Sequence, residues 1–146
     1  MGRQIELAES DAWSLMGYLL DTCTFIWLVS DPSGLSRAAR EAIADGDSRC
    51  VLSAVSPWEM MTKHRLGKLE VNTLGMSLPE FLREQRLAYE LETLAMDENS
   101  ARHLVSLPDV HRDPFDRMLI CQSIEHQLVL VTPDPHIRRY PIKTLW

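Results

Sequence analysis

Three short runs without polar interruption punctuate the chain: GYLLD at 17–21, CVLSA at 50–54 and LVLVT at 128–132. A strand with one face in water alternates polar and apolar residues. These runs do not, so both of their faces are expected to be covered. A weaker run, LETLAM at 91–96, and the closing residues 142–145 extend the set. Stretches of helical character separate the runs. Alternating strands and helices imply a mostly parallel sheet, right-handed crossovers and helices on both faces. The expected fold is a three-layer α/β/α sandwich.

The helices carry their own signals. Residues 22–30 (TCTFIWLVS) end at Asp31-Pro32, and 35–45 (LSRAAREAIAD) stop at Gly46. Ser56-Pro57-Trp58-Glu59 reads as a capping box opening a helix to about Leu66, with Ser56 as N-cap and Glu59 at the third helical position. Ser77 opens another to about Ala88, Asp97 caps one to about Leu107, and Asp113 caps FDRMLICQSIEH. Residues 1–15 are mixed and polar. They read as an N-terminal extension ahead of a domain at 16–146, with Met16 as a candidate start, or as a short docked helix.

With 146 residues, 45% of them hydrophobic, the chain suits one domain with a core that needs no disulfides. Cys23, Cys50 and Cys121 sit in apolar settings without C-x-x-C spacing, which argues for a reducing compartment and against a zinc knot. No run nears the roughly 20 apolar residues that span a bilayer, and the first residues carry charges instead of an apolar leader. A cytoplasmic protein without membrane contact is expected. The net charge of -6 disfavours a surface coated in positive charge for non-specific nucleic-acid binding, but leaves room for a local basic rim.

Polar residues at the carboxyl ends of the strands are the natural candidates for a site. Asp21 and Asp134 follow strands; Glu59 and Asp116 open helices that follow strands or loops. Each has a structural explanation: Asp21 and Asp113 as N-caps, Glu59 and Asp116 at favourable third positions, Asp134 in a Pro-Asp-Pro turn. If their elements share one parallel sheet, however, Asp21, Glu59, Asp116 and Asp134 converge. Carboxylates gathered in a cleft repel and call for a cation. All-oxygen ligands favour Mg2+ or Mn2+ over zinc, and such a site suits activation of water against a phosphodiester.

Three stretches, LLDTCTFIWLVSD, SAVSPWEMMTKHRLGKLE and HRDPFDRMLICQSIEHQLVLVTPDPHIRRYP, make the chain resemble PIN-domain ribonucleases of the VapC type, toxins of type II toxin–antitoxin systems. The resemblance implies a PIN-like sandwich, a Mg2+-dependent endoribonuclease with Mn2+ able to substitute, and metal-activated water as the attacking group. It implies a VapB-like antitoxin and an RNA substrate; a homodimer is expected instead from Phe25-Ile26-Trp27-Leu28, which is apolar all around a helix turn. Carried over by motif, Asp21 matches the acid of L-L-D-T, Glu59 that of W-E, Asp116 that of D-R-x-L-I and Asp134 the last acid. Asp113 is an extra acid with N-cap and supporting duty, and Thr22 and Thr132 would orient carboxylates or waters through their hydroxyls. Cys23 stands where this subgroup usually has His, and Pro133 where a small residue is usual.

Lys63, His64, Arg65 and Lys68 form one basic set; Arg112, Arg117, Arg138, Arg139 and Lys143 form another. Both read as solvated faces or as an RNA-phosphate rim, with Lys63, Arg65 and Arg117 the chosen RNA contacts. His111 and His136 read as turn or surface histidines without a metal role. Phe25, Trp27, Leu28 and Trp58 read as core or interface residues. Two rival functions remain. A degenerate PIN-like module held by an antitoxin needs no intact acids, yet all four are present. An aspartyl phosphatase needs a second Asp two residues beyond the first, where this chain has Cys23.

Overall fold

The computed structural model describes residues 17–146; the extension at 1–15 and the candidate start at Met16 lie outside the described residues. Strands β1 (Tyr18–Leu20), β2 (Cys50–Ser53), β3 (Glu92–Leu94), β4 (Val129–Val131) and β5 (Thr144–Leu145) form one sheet in the order β3-β2-β1-β4-β5. Every pairing is parallel. The helices are α1 (Thr22–Ser30), α2 (Arg37–Ala44), α3 (Val55–Arg65), α4 (Leu78–Ala88), α5 (Glu98–Ala101) and α6 (Pro114–His126).

The period-two geometry of the strands divides the core. Leu19, Val51 and Leu130 face a cluster with Met118, Leu119 and Ile120 of α6, while Leu20, Leu52 and Val131 face Phe25 and Leu28 of α1, Ala39 of α2 and Phe81 and Leu82 of α4. Helices therefore cover both faces, giving three layers. Phe25 is fully buried, whereas Trp58 is 55% exposed. At the outer edge, Glu92 and Thr93 of β3 are exposed. The backbone ladder to β2 holds that strand, with the exposed Arg49–Glu92 pair, at 2.6 and 2.7 Å, beside it.

Register aligns the three central strands. Leu20 lies opposite both Leu52 and Val131, so β1, β2 and β4 end at one level. The chain leaves β1 toward β2 on one side and meets β4 on the other, which makes this end a topological switch point.

Two helices differ from the sequence expectation. Ser56 does not cap α3: the helix starts at Val55, its N-cap is Ala54 without a side-chain bond, and no acid lies in its first turn. The tight exit from β2 is fastened instead by Ser53, whose hydroxyl accepts the Val55 N–H at 3.0 Å. The helix capped by Asp97 is also shorter than expected. Its α-helical part ends at Ala101 and tightens to a 3-10 turn over Arg102–Val105. Asp113 caps α6 with Pro114 in its first turn, its carboxylate accepting the Asp116 N–H at 2.9 Å.

Candidate active site at the carboxyl edge of the sheet

Asp21 ends β1 and caps α1. One carboxylate oxygen accepts the Thr24 N–H at 2.7 Å, and the other accepts the Thr132 hydroxyl from the end of β4. Only 2% of the residue is exposed. Burial raises its carboxyl pKa above the ordinary value, outweighing those hydrogen bonds, and Asp134 adds to the rise. The Thr24 hydroxyl donates to the Val131 carbonyl at 2.8 Å, tying α1 to β4. Thr22 has a different task from the one expected. Its hydroxyl donates to Ser56 Oγ at 3.0 Å and so joins α1 to α3 without reaching a carboxylate.

Glu59 lies one turn into α3 and is 3% exposed. With the capping box absent, helix capping no longer accounts for an acid here. Lys63, one turn on, pairs with Oε2, while Oε1 is buried without a hydrogen-bond partner among the described residues. An unsatisfied buried charged oxygen costs on the order of 1–3 kcal/mol or more. The Lys63 ammonium is held charged first by its bond to Glu59, with further support from Asp113 and Asp116.

Asp116 sits in the first turn of α6. Its pKa rises to about 6 through burial, then through the charges of Asp113, Glu59 and Asp21, against the lowering effect of a hydrogen bond with His111. Carboxylates from three elements thus share one electrostatic environment. Asp134 is half-buried; its N–H donates to Thr132 Oγ1 at 3.1 Å and its carboxylate accepts the His136 N–H at 2.8 Å, as in an Asx turn. Cys23 is exposed, contrary to its apolar sequence setting. Desolvation of its sulfur, together with the charges of Asp21, Asp134 and Asp116, raises the thiol pKa.

His111 is more than a turn residue. Its ring bridges Asp116 Oδ2 at 3.1 Å and the Tyr140 hydroxyl at 2.8 Å, and stacks on His136. The contact arises from the folding-back of residue 140 onto the loop before α6, which no local pattern signals. Arg117 is directed inward: Nη1 donates to the Pro108 carbonyl and Tyr140 hydroxyl, both at 3.0 Å, and its side chain is 15% exposed. A phosphate contact would have to share those donors. Arg65 is exposed.

The donor set suits a hard divalent cation. It is all oxygen, includes an unpartnered carboxylate oxygen, and holds two acids whose ionisation the protein opposes when nothing compensates it. Among the described residues no three acids, histidines or cysteines form a ready-made cage. Such an ion would complete its shell with water, as Mg2+ commonly does.

The strand order, the switch point and this acidic edge define an α/β protein of the PIN class. Comparison with protein families matches the PIN domain over residues 18–143, and the chain belongs to that family. It is 32% identical over 132 residues to Ribonuclease VapC22 of Mycobacterium tuberculosis, covering 88% of this chain and 97% of that protein. Among solved structures, it resembles VapBC2 from Rickettsia felis bound to a DNA fragment from their promoter. That match has a TM-score of 0.62 and 13% identity, covering 88% of this chain and 98% of that one. A toxin–antitoxin complex from Klebsiella pneumoniae matches with a TM-score of 0.58 and 17% identity, covering 89% and 97%. At these identities the structural matches speak for the fold. PIN-domain ribonucleases are generally divalent-metal dependent.

Proposed function

We propose that the chain is a Mg2+-dependent endoribonuclease, the toxin of a toxin–antitoxin pair, acting in the cytoplasm. The observation that carries the reading is the shared environment of Asp21, Glu59 and Asp116, with Glu59 Oε1 left unpartnered inside it. Asp21 and Asp116 would hold the ion, with Glu59 and Asp134 completing the set or positioning the attacking water. Bound Mg2+ supplies positive charge against phosphate oxygens and lowers the pKa of a coordinated water. Thr132 fixes the Asp21 carboxylate, Asp113 fixes the start of α6, and Lys63 and Arg65 lie on α3 where RNA phosphates would approach. Hydrolysis by water leaves a 5′-phosphate and a 3′-hydroxyl and uses no 2′-hydroxyl, so preference for RNA rests on binding.

A VapB-like antitoxin is the proposed partner, and a homodimer the proposed assembly. The similarity to a VapC ribonuclease and the fold shared with toxin–antitoxin complexes support the first. Incubation of purified protein with RNA, with and without Mg2+, followed by end-group analysis, tests the activity. Equal cleavage by the parent and Asp21→Asn in Mg2+ would rule out the assignment.

A further inference from the structure

Asp116 is held from behind by a chain of polar contacts that neither the family motif nor helix capping explains. Tyr140 is buried, and its hydroxyl oxygen accepts Arg117 Nη1–H at 3.0 Å and the His111 backbone N–H at 3.3 Å. A phenolic oxygen has no further lone pair to offer after two such bonds, so it meets the His111 ring as a donor. The two candidates for its hydrogen are His111 Nδ1 at 2.8 Å and the His111 carbonyl at 3.3 Å. The shorter contact takes it. Nδ1 is then an acceptor, the ring proton sits on Nε2, and Nε2–H donates to Asp116 Oδ2 at 3.1 Å. His136 lies nearly parallel to the ring, 12° from coplanar with centroids 5.8 Å apart.

We infer that Arg117, Tyr140 and His111 form a positioning relay that fixes the orientation of Asp116 and reserves its Oδ1 for a divalent cation. The inference rests on the reading of Asp116 as a metal ligand. Tyr140 closes the segment that begins at Asp134, whose carbonyl accepts the Arg138 N–H at 3.2 Å. The relay therefore also locks the loop bearing the last acid against the helix bearing Asp116. Partners of this kind, one bond removed from the ion, typically change metal affinity by 10–100-fold when lost.

The test uses the full chain stripped of metal, titrated with Mn2+ in a calorimeter, together with long-range proton–nitrogen spectra of the imidazoles. The parent should show His111 as the Nε2–H tautomer. His111→Ala and Tyr140→Phe should each weaken Mn2+ binding by roughly tenfold. His111→Gln, whose amide can still donate at the Nε2 position, should stay within about threefold of the parent. Melting temperatures in EDTA separate folding from affinity, since a merely structural relay would lower them in Tyr140→Phe and leave Mn2+ affinity unchanged. That result, or an Nδ1–H tautomer in the parent, overturns the relay while leaving the metal assignment intact. If the parent itself binds no Mn2+, the proposed metal site falls and the relay with it.

Discussion

The Thr132 hydroxyl donates to Asp21 Oδ2 across 111 residues of sequence, joining the carboxyl ends of β4 and β1 beneath the acidic edge. Both residues are buried. Thr132→Val keeps the branched shape and removes this donor. At pH 7 in EDTA the variant should lose about 1–2 kcal/mol, because a buried carboxylate is left short of a hydrogen bond. The midpoint of urea unfolding measures the loss; an unchanged midpoint would show that the Thr132 hydroxyl, which also accepts the Asp134 N–H, contributes nothing to stability.

Asp116 predicts a pH dependence whose sign is fixed by the direction of its shift. Its folded pKa is about 6 against an ordinary 3.8, so the folded state prefers the protonated acid. The resulting stabilisation is fully present below 3.8 and is lost as pH rises through about 6. In EDTA the parent should therefore be more stable at pH 5 than at pH 7.5, after subtraction of the same profile for Asp116→Asn, by an amount on the order of 1 kcal/mol, since about one pKa unit of the shift lies in that window. A flat difference profile would show that the acid does not ionise against resistance.

The two acids of HRDPFDR divide their labour. Asp113→Ala removes the N-cap bond to Asp116 and should cost ~1 kcal/mol of stability. Asp116→Asn keeps shape and cap but should abolish most RNA cleavage. Paired melting and cleavage assays would detect the opposite ordering.

Mn2+ should raise the melting temperature of the parent by binding the folded chain in preference to the unfolded one. Asp21→Asn, Glu59→Gln and Asp116→Asn should each blunt that rise, and relief of repulsion should raise the metal-free melting temperature of Asp116→Asn. An identical Mn2+ response in all four proteins would mean that these carboxylates do not form one site.

Gly34 predicts a defect away from the site. A Cβ there would stand 2.1 Å from Trp27 Cε3, so the indole must move for any side chain to fit. Trp27 is 38% exposed and can shift toward solvent, so Gly34→Ala should cost only about 1 kcal/mol, the low end for overpacking, and should change the tryptophan emission of the chain. Unchanged stability and fluorescence would contradict that displacement.

Local order was legible in the chain itself. Uninterrupted apolar runs marked β1, β2 and β4, since strands covered on both faces need no polar residue, and Asp21, Ser77, Asp97 and Asp113 marked helix starts through side chains that accept first-turn N–H groups. The four acids were found from their places after strands and at helix openings, with the resemblance to VapC-type sequences naming their roles. Tertiary structure decided what those acids experience. Register brought β1, β2 and β4 to one level, and burial raised the pKa of Asp21 and Asp116. The start of α3 at Val55 took Glu59 out of the capping role that its sequence suggested and left one of its oxygens unpartnered. The pairing of Thr22 with Ser56, the exposure of Cys23, the inward turn of Arg117 and the contact of His111 with Tyr140 and Asp116 were likewise set by tertiary structure. The physical reason is range: caps and apolar runs act within a few residues, whereas burial and repulsion depend on neighbours that only the assembled sheet brings together.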